Sequence, residues 1–220
     1  MERFSAVLEV KKGVTAIIGS GGKTSLLRRL GAELEGRVIL CTTTRIWPFD
    51  HVPVLLDPTA DEVKRAFRKS GVLCLGGPRD DGKLGPPTLS MAALAQLADY
   101  VLVEADGAAG LPLKAHASWE PVIPPESGQV IQVVGASGIG QIIRTVAHRP
   151  ERYAALAETK EDAVVTPAMA ARVIKREGLC SRVLVNQADG AEEAARALAA
   201  AAHVPAAAGS LQKGSILCWF

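Results

Sequence analysis

A three-layer α/β fold, with helices on both faces of a mostly parallel sheet, is what this sequence predicts, and three observations carry the expectation. Short apolar runs alternate with segments of helical periodicity for most of the length, as βαβ units require. Hydrophobic residues make up 48% of the chain but aromatic ones only 4%, so the core must be mostly Ala, Val, Leu and Ile, which suit helix-on-sheet layers. A length of 220 residues is enough to bury one sizeable core, and residues 1–220 read as a single domain.

The runs at 14–18, 38–41, 54–56, 72–75, 100–104, 130–134 and 182–185 are short and apolar throughout, the pattern of parallel strands covered on both faces. Residues 5–10 and 215–219 read as an opening and a closing strand. Helices are expected at 23–34, 61–70, 90–98, 167–177 and 191–202; in the last, Glu192, Glu193 and Arg196 interrupt an alanine run at helical spacing. Two segments break the alternation. Residues 76–87, GGPRDDGKLGPP, and the proline-rich 107–128 are long loops expected to lie over a site, as such loops in compact domains commonly do.

Composition excludes several classes of function. The net charge of +2 comes from 25 basic and 23 acidic residues without a block of one sign, so neither a nucleic-acid surface nor a membrane surface is expected. The opening MERFSAVLEVKKG carries charges inside its apolar run, unlike a secretory signal, and a cytoplasmic protein is the expectation. Cys41, Cys74, Cys180 and Cys218 lack any C-x-x-C spacing and read as reduced thiols.

The chemistry concentrates in AIIGSGGKTSLLRRL. A strand, then Gly19-Ser20-Gly21-Gly22-Lys23-Thr24-Ser25, then a helix, is the arrangement of a phosphate-binding loop, and the expected fold is accordingly P-loop NTPase-like. Glycines let backbone N–H groups turn inward, the helix N-terminus adds partial positive charge, a lysine reaches the terminal phosphates and a hydroxyl can ligate Mg²⁺. The spacing is G-x-x-G-K-T; the longer G-x-x-x-x-G-K-[ST] would need glycine where Ile17 stands. A dinucleotide loop is the rival reading, but Thr24 occupies the position of its third glycine, and no acid follows the next strand, which runs into Thr42-Thr43-Thr44.

A metal-side acid is expected at the end of a neighbouring strand, and YVLVEADG supplies Glu104 and Asp106, either of which could hold Mg²⁺ or orient a nucleophile, with Asp106 expected as the water-orienting or substrate-side acid. Near the C-terminal end, Asn186-Gln187-Ala188-Asp189 resembles the N-K-x-D box that reads guanine, with Gln187 in place of lysine. Asn186 and Asp189 equally suit a turn and a helix cap, and both readings stay open. VVGASGIG at 133–140 looks like a dehydrogenase loop but is one residue short and has no Tyr-x-x-x-Lys after it, so a strand-to-helix turn is expected there. Lys114, His116 and Glu120 stand among prolines after Asp106, which would preorganise them over a bound substrate or anion, and Arg45, Arg79 and Lys83 are candidate anion contacts because a triphosphate needs positive charge beyond Lys23.

Taken in order, Gly19 to Thr24, Thr42-Thr43-Thr44-Arg45-Ile46-Trp47-Pro48, Gly82-Lys83-Leu84, Val103-Glu104-Ala105-Asp106-Gly107-Ala108, Leu113-Lys114 and Glu120-Pro121-Val122-Ile123-Pro124 resemble the YqeC family. His116, where that family's pattern leads one to expect proline, is a departure. The family is described as accessory to selenium-dependent molybdenum hydroxylases. The resemblance implies a role in selenium-cofactor biosynthesis or insertion, driven by ATP or GTP with Mg²⁺, with such a hydroxylase or its cofactor as partner. A nucleotide-gated chaperone without turnover, and a kinase or ligase with a small acceptor, are the alternatives.

Overall fold

The structure is a computed structural model that describes residues 2–220. In chain order it contains α1 (Phe4–Val7), β1 (Gly13–Gly19), α2 (Lys23–Glu33), β2 (Val38–Thr42), β3 (Val54–Leu56), α3 (Ala60–Ala66), β4 (Val72–Pro78), β5 (Leu84–Gly85), α4 (Met91–Leu97) and β6 (Tyr100–Glu104). There follow β7 (Leu113–Lys114), β8 (Ser127–Gly135), a 3-10 turn (Ala136–Gly138), α5 (Ile143–Val146), β9 (Ala147–His148), α6 (Pro150–Ala157), α7 (Pro167–Glu177), β10 (Arg182–Asn186), α8 (Glu192–Ala201), β11 (Ala206–Ser210) and β12 (Ser215–Trp219).

Ten strands form one sheet in the order β12-β11-β10-β8-β1-β6-β2-β4-β3, with β5 beside β4. Every pairing is parallel except β11 with β12 and β4 with β5. The expected α/β architecture around a mostly parallel sheet is what the chain adopts. Alternating residues of each strand serve two cores. On one face Ile17, Leu40, Leu102, Ile131, Val133 and Leu184 pack under Leu26, Leu27 and Leu30 of α2 and Phe4 and Leu8 of the N-terminal turn. On the other, Ile39, Val101 and Val103 meet α3 and α4, while Val183 and Val185 meet α7 and α8. Burying each of the three α2 leucines contributes roughly 1.5–3 kcal/mol, which holds the helix, and the loop before it, to the sheet.

Sequence and structure part at four places. Residues 5–10 do not make a strand: Phe4 and Leu8, four apart, both turn into the α2 face, a helical spacing that the α1 turn satisfies. The loop at 76–87 is a short antiparallel hairpin, because β4 runs on through Pro78 and β5 folds back on it. β11 reads AAAGS, without a β-branched residue; Gly209 lies where a Cβ would crowd Ile216 and Phe4, so packing space outweighs strand propensity. Helix α6 is opened by Pro150 in its first turn, a start signal that Arg149-Pro150 carries in the sequence. Among the described residues no helix is long and apolar enough to cross a membrane.

Candidate functional site

The switch from β1 to α2 carries the glycine loop to the carboxyl end of the central strands, between β8 and β6, where open parallel sheets bind ligands. Gly19 and Gly21 take φ of 94° and 85°, a region that favours glycine. A Cβ on Gly21 would stand 2.5 Å from the backbone nitrogen of Gly135, so the crossing of the loop over the end of β8 requires a residue without one. Asn186 braces the loop from β10: its Nδ2 donates to Gly21 O at 2.7 Å, and its Oδ1 accepts from Leu211 N at 2.9 Å.

Lys23, the first residue of α2, is 4% exposed. Its Nζ donates to Gly19 O at 2.7 Å and lies 3.1 Å from Asp106 Oδ1 and 4.0 Å from Glu104 Oε1. Thr24 Oγ1 donates to Glu104 Oε2 at 2.9 Å. The two acids differ in surroundings. Asp106 is fully enclosed; its Oδ2 accepts from Gly19 N at 2.9 Å, from Lys114 Nζ at 2.8 Å and from His116 Nε2 at 2.8 Å. Burial raises its pKa, but the His116 hydrogen bond and the charges of Lys23 and Lys114 outweigh that and hold it at about 2. Glu104 has fewer partners, and burial, only partly offset by Lys23 and Thr24, pushes its pKa up. Glu104 lines the opening at the glycine loop together with Ser20, Lys23 and Ser25.

Behind the loop the charges alternate. His116 Nδ1 meets Glu177 Oε2 at 2.9 Å, and its backbone N–H donates to Glu177 Oε1 at 2.7 Å. A ring with a carboxylate on each nitrogen is a donor on both sides, and these bonds raise the His116 pKa against the opposing effect of burial. Lys114 Nζ also lies 2.7 Å from Glu120 Oε1, and Arg149 holds the same carboxylate. Lys23, Lys114, His116 and Arg149 thus interleave with Glu104, Asp106, Glu120 and Glu177, the arrangement that lets charges stay ionised when buried.

Of the residues the sequence singled out, Gly19, Ser20, Gly21, Gly22, Lys23, Thr24, Glu104, Asp106, Lys114 and His116 come together here. Arg45 and Lys83 stand across an adjoining cleft, beyond Thr24 and Glu104. Asp189 lies apart, accepting from Ser210 Oγ at 2.5 Å and paired with Lys213 at 2.8 Å. Glu177 was not foreseen. It ends α7, where the helix dipole disfavours an acid, and that misplacement was the signal available.

A family model described as YqeC protein matches residues 15–151. The protein called Uncharacterized protein YqeC in Escherichia coli (strain K12) is 35% identical over 162 residues, which is 69% of this chain and 63% of that relative's length. No solved structure matches the chain. The match takes in the glycine loop, Glu104-Ala105-Asp106, Lys114, His116 and Glu120. The chain belongs to the YqeC family.

Proposed function

We propose that this protein binds a nucleoside triphosphate, ATP or GTP, with Mg²⁺ at Gly19 to Ser25, and hydrolyses it or transfers phosphate from it. The reaction would serve an accessory step in selenium-cofactor biosynthesis or insertion into a molybdenum hydroxylase. One observation carries the nucleotide reading: a buried lysine at the start of a helix, reached through a glycine loop, faces two carboxylates with a threonine hydroxyl beside one of them. On this reading Lys23 leaves Gly19 O for the β- and γ-phosphates while Asp106 stays beside it, and the loop N–H groups donate to the remaining phosphate oxygens.

The donor set fits Mg²⁺ at Thr24 and Glu104, since two hard oxygens stand together with a carboxylate whose charge is incompletely matched. Bound there, Mg²⁺ would neutralise charge on the terminal phosphates. Asp106, whose Oδ2 is occupied three times over, acts differently: it aims Lys23 and fixes the Gly19 amide. The nucleoside would extend toward the opening of about 540 Å³ between Arg28, Arg29, Leu211 and Gln212. Phosphate release in the presence of Mg²⁺ tests the reading: Thr24→Ala and Glu104→Gln should each lower it at least about 100-fold. Equal release with excess chelator in the wild type would contradict it.

A nucleotide-gated switch is the second reading, and the segment after Asp106 favours it. Ser20 Oγ donates to Leu111 O, which rests this segment on the glycine loop, and Gly135 N at the end of β8 donates to Pro112 O at 2.8 Å, so the segment would respond to phosphate bound there. Multiple turnover by the isolated protein would argue against it.

A further inference from the structure

Thr24, Glu104 and Ala108 line two openings at once. One is the mouth of the glycine loop. The other is a cleft of about 470 Å³, within the ~300–1,000 Å³ typical of small-molecule sites. Its far wall is assembled by the hairpin: Ile46 N donates to Leu84 O at 3.0 Å and Leu84 N to Ile46 O at 2.8 Å, which sets Trp47 and Lys83 side by side. Lys83 Nζ stands 5.1 Å from the centre of the Trp47 ring, a cation over an aromatic face. Arg45 lines the same wall. Opposite stand Glu120, His148 and Arg149.

Two features say what this cleft would hold. The first is charge. Glu120 is neutralised by Lys114 and Arg149, Glu104 would be matched by Mg²⁺ on the proposed reading, and Asp81, two residues from Lys83, pairs with Arg79 at 3.4 Å, whereas neither Arg45 nor Lys83 forms an ion pair among the described residues. Burial and the neighbouring Arg149 hold the His148 pKa down, so it adds no opposing or reinforcing charge near neutrality. The second is aromatic surface. Trp47, which lines the cleft, is 58% exposed beside the Lys83 cation, an arrangement with nothing to gain from core packing.

We propose that the cleft binds a second small molecule, an anion bearing a flat ring, with its charge on Arg45 and Lys83 and its ring against Trp47. That molecule would lie on the far side of Thr24 and Glu104 from the triphosphate. The proposal rests on the nucleotide reading for its context, since the triphosphate gives the adjacent site its purpose.

Flavin mononucleotide and phenyl phosphate are suitable probes, with riboflavin lacking the charge and ribose 5-phosphate lacking the ring. Calorimetry with the full chain, with and without saturating Mg²⁺ and a non-hydrolysable triphosphate analogue, should find both probes bound in either condition. Riboflavin and ribose 5-phosphate should bind at least about tenfold more weakly. The double variant Arg45→Ala/Lys83→Ala should weaken flavin mononucleotide at least about tenfold while keeping the wild-type circular dichroism and analogue affinity. Trp47→Leu should weaken it as well. Lys23→Ala should abolish analogue binding and leave flavin mononucleotide bound, so the two readings fail separately. The proposal is overturned if neither ring-bearing probe binds at millimolar concentration, if the analogue displaces flavin mononucleotide, or if the double variant leaves its affinity unchanged. Loss of analogue affinity in the double variant would also overturn it, by assigning both cations to the triphosphate.

Discussion

Asp106 and His116 show how single residues set the electrostatics of the site. The imidazole bridges two carboxylates, and each partner is shifted toward its charged form. The signs give two pH limbs. Because the folded pKa of His116 lies above 6.5, its contribution is fully present below that pH and is lost as pH rises through the raised value. Because that of Asp106 is depressed from 3.8 to about 2, its contribution is present above the ordinary value and fades as pH falls toward 2. His116→Gln removes the cation between Asp106 and Glu177 and should destabilise the protein by about 3 kcal/mol in urea unfolding. It should also flatten the alkaline limb of stability; an unchanged slope above pH 6.5 would mean that the ring is not the charged bridge. His116 was legible as a candidate because it follows Asp106 in a proline-rich stretch. Its second partner was not, since Glu177 lies 61 residues away and only the packing of α7 brings it near.

At the scale of elements, the β1 to α2 unit was the most legible part of the chain. Its apolar run, glycine loop and helix face each speak in the local sequence, and all three agree. The loop's geometry predicts the cost of disturbing it. Gly21→Ala adds a Cβ against the backbone of β8 at positive φ, so it should destabilise by about 1–3 kcal/mol and remove nucleotide binding together. Asn186→Ala should weaken nucleotide binding by loosening the loop; unchanged affinity for every triphosphate would contradict the bracing role. Helix α3 has a reciprocal cap, Thr59 with Glu62, far from the site. Thr59→Ala should therefore cost about 1 kcal/mol in unfolding with no effect on binding, a control that separates stability from site geometry. Elements whose form depends on distant partners were the ones misread. The α1 turn follows from the space under Phe4 and Leu8, and β11 follows from the need for small residues between α8 and β12, neither of which shows in local propensity.

Across the whole molecule, one sheet carries both the glycine loop and the wall against which α7 presents Glu177, so a ligand held by the loop would stabilise the whole fold. If Mg²⁺ and triphosphate bind the folded chain alone, a concentration 100 times the Kd should add about 2.7 kcal/mol to stability and raise Tm accordingly. The overall α/β layering was readable from alternation and composition, because parallel strands buried on both faces leave continuous apolar runs. The site's charge network was readable only in part, since its members come from α2, the end of β6, the proline-rich segment, the residue before α6 and the end of α7, which the fold alone assembles. The central claim is that Gly19 to Thr24 bind triphosphate through Lys23. Calorimetric titration of ATP, GTP and CTP, with and without Mg²⁺, into wild type and Lys23→Ala tests it most directly. Binding of ATP or GTP should depend on Mg²⁺ and be abolished by Lys23→Ala; binding of none of the three, or equal binding by the variant, would mean that the loop does not hold triphosphate through Lys23.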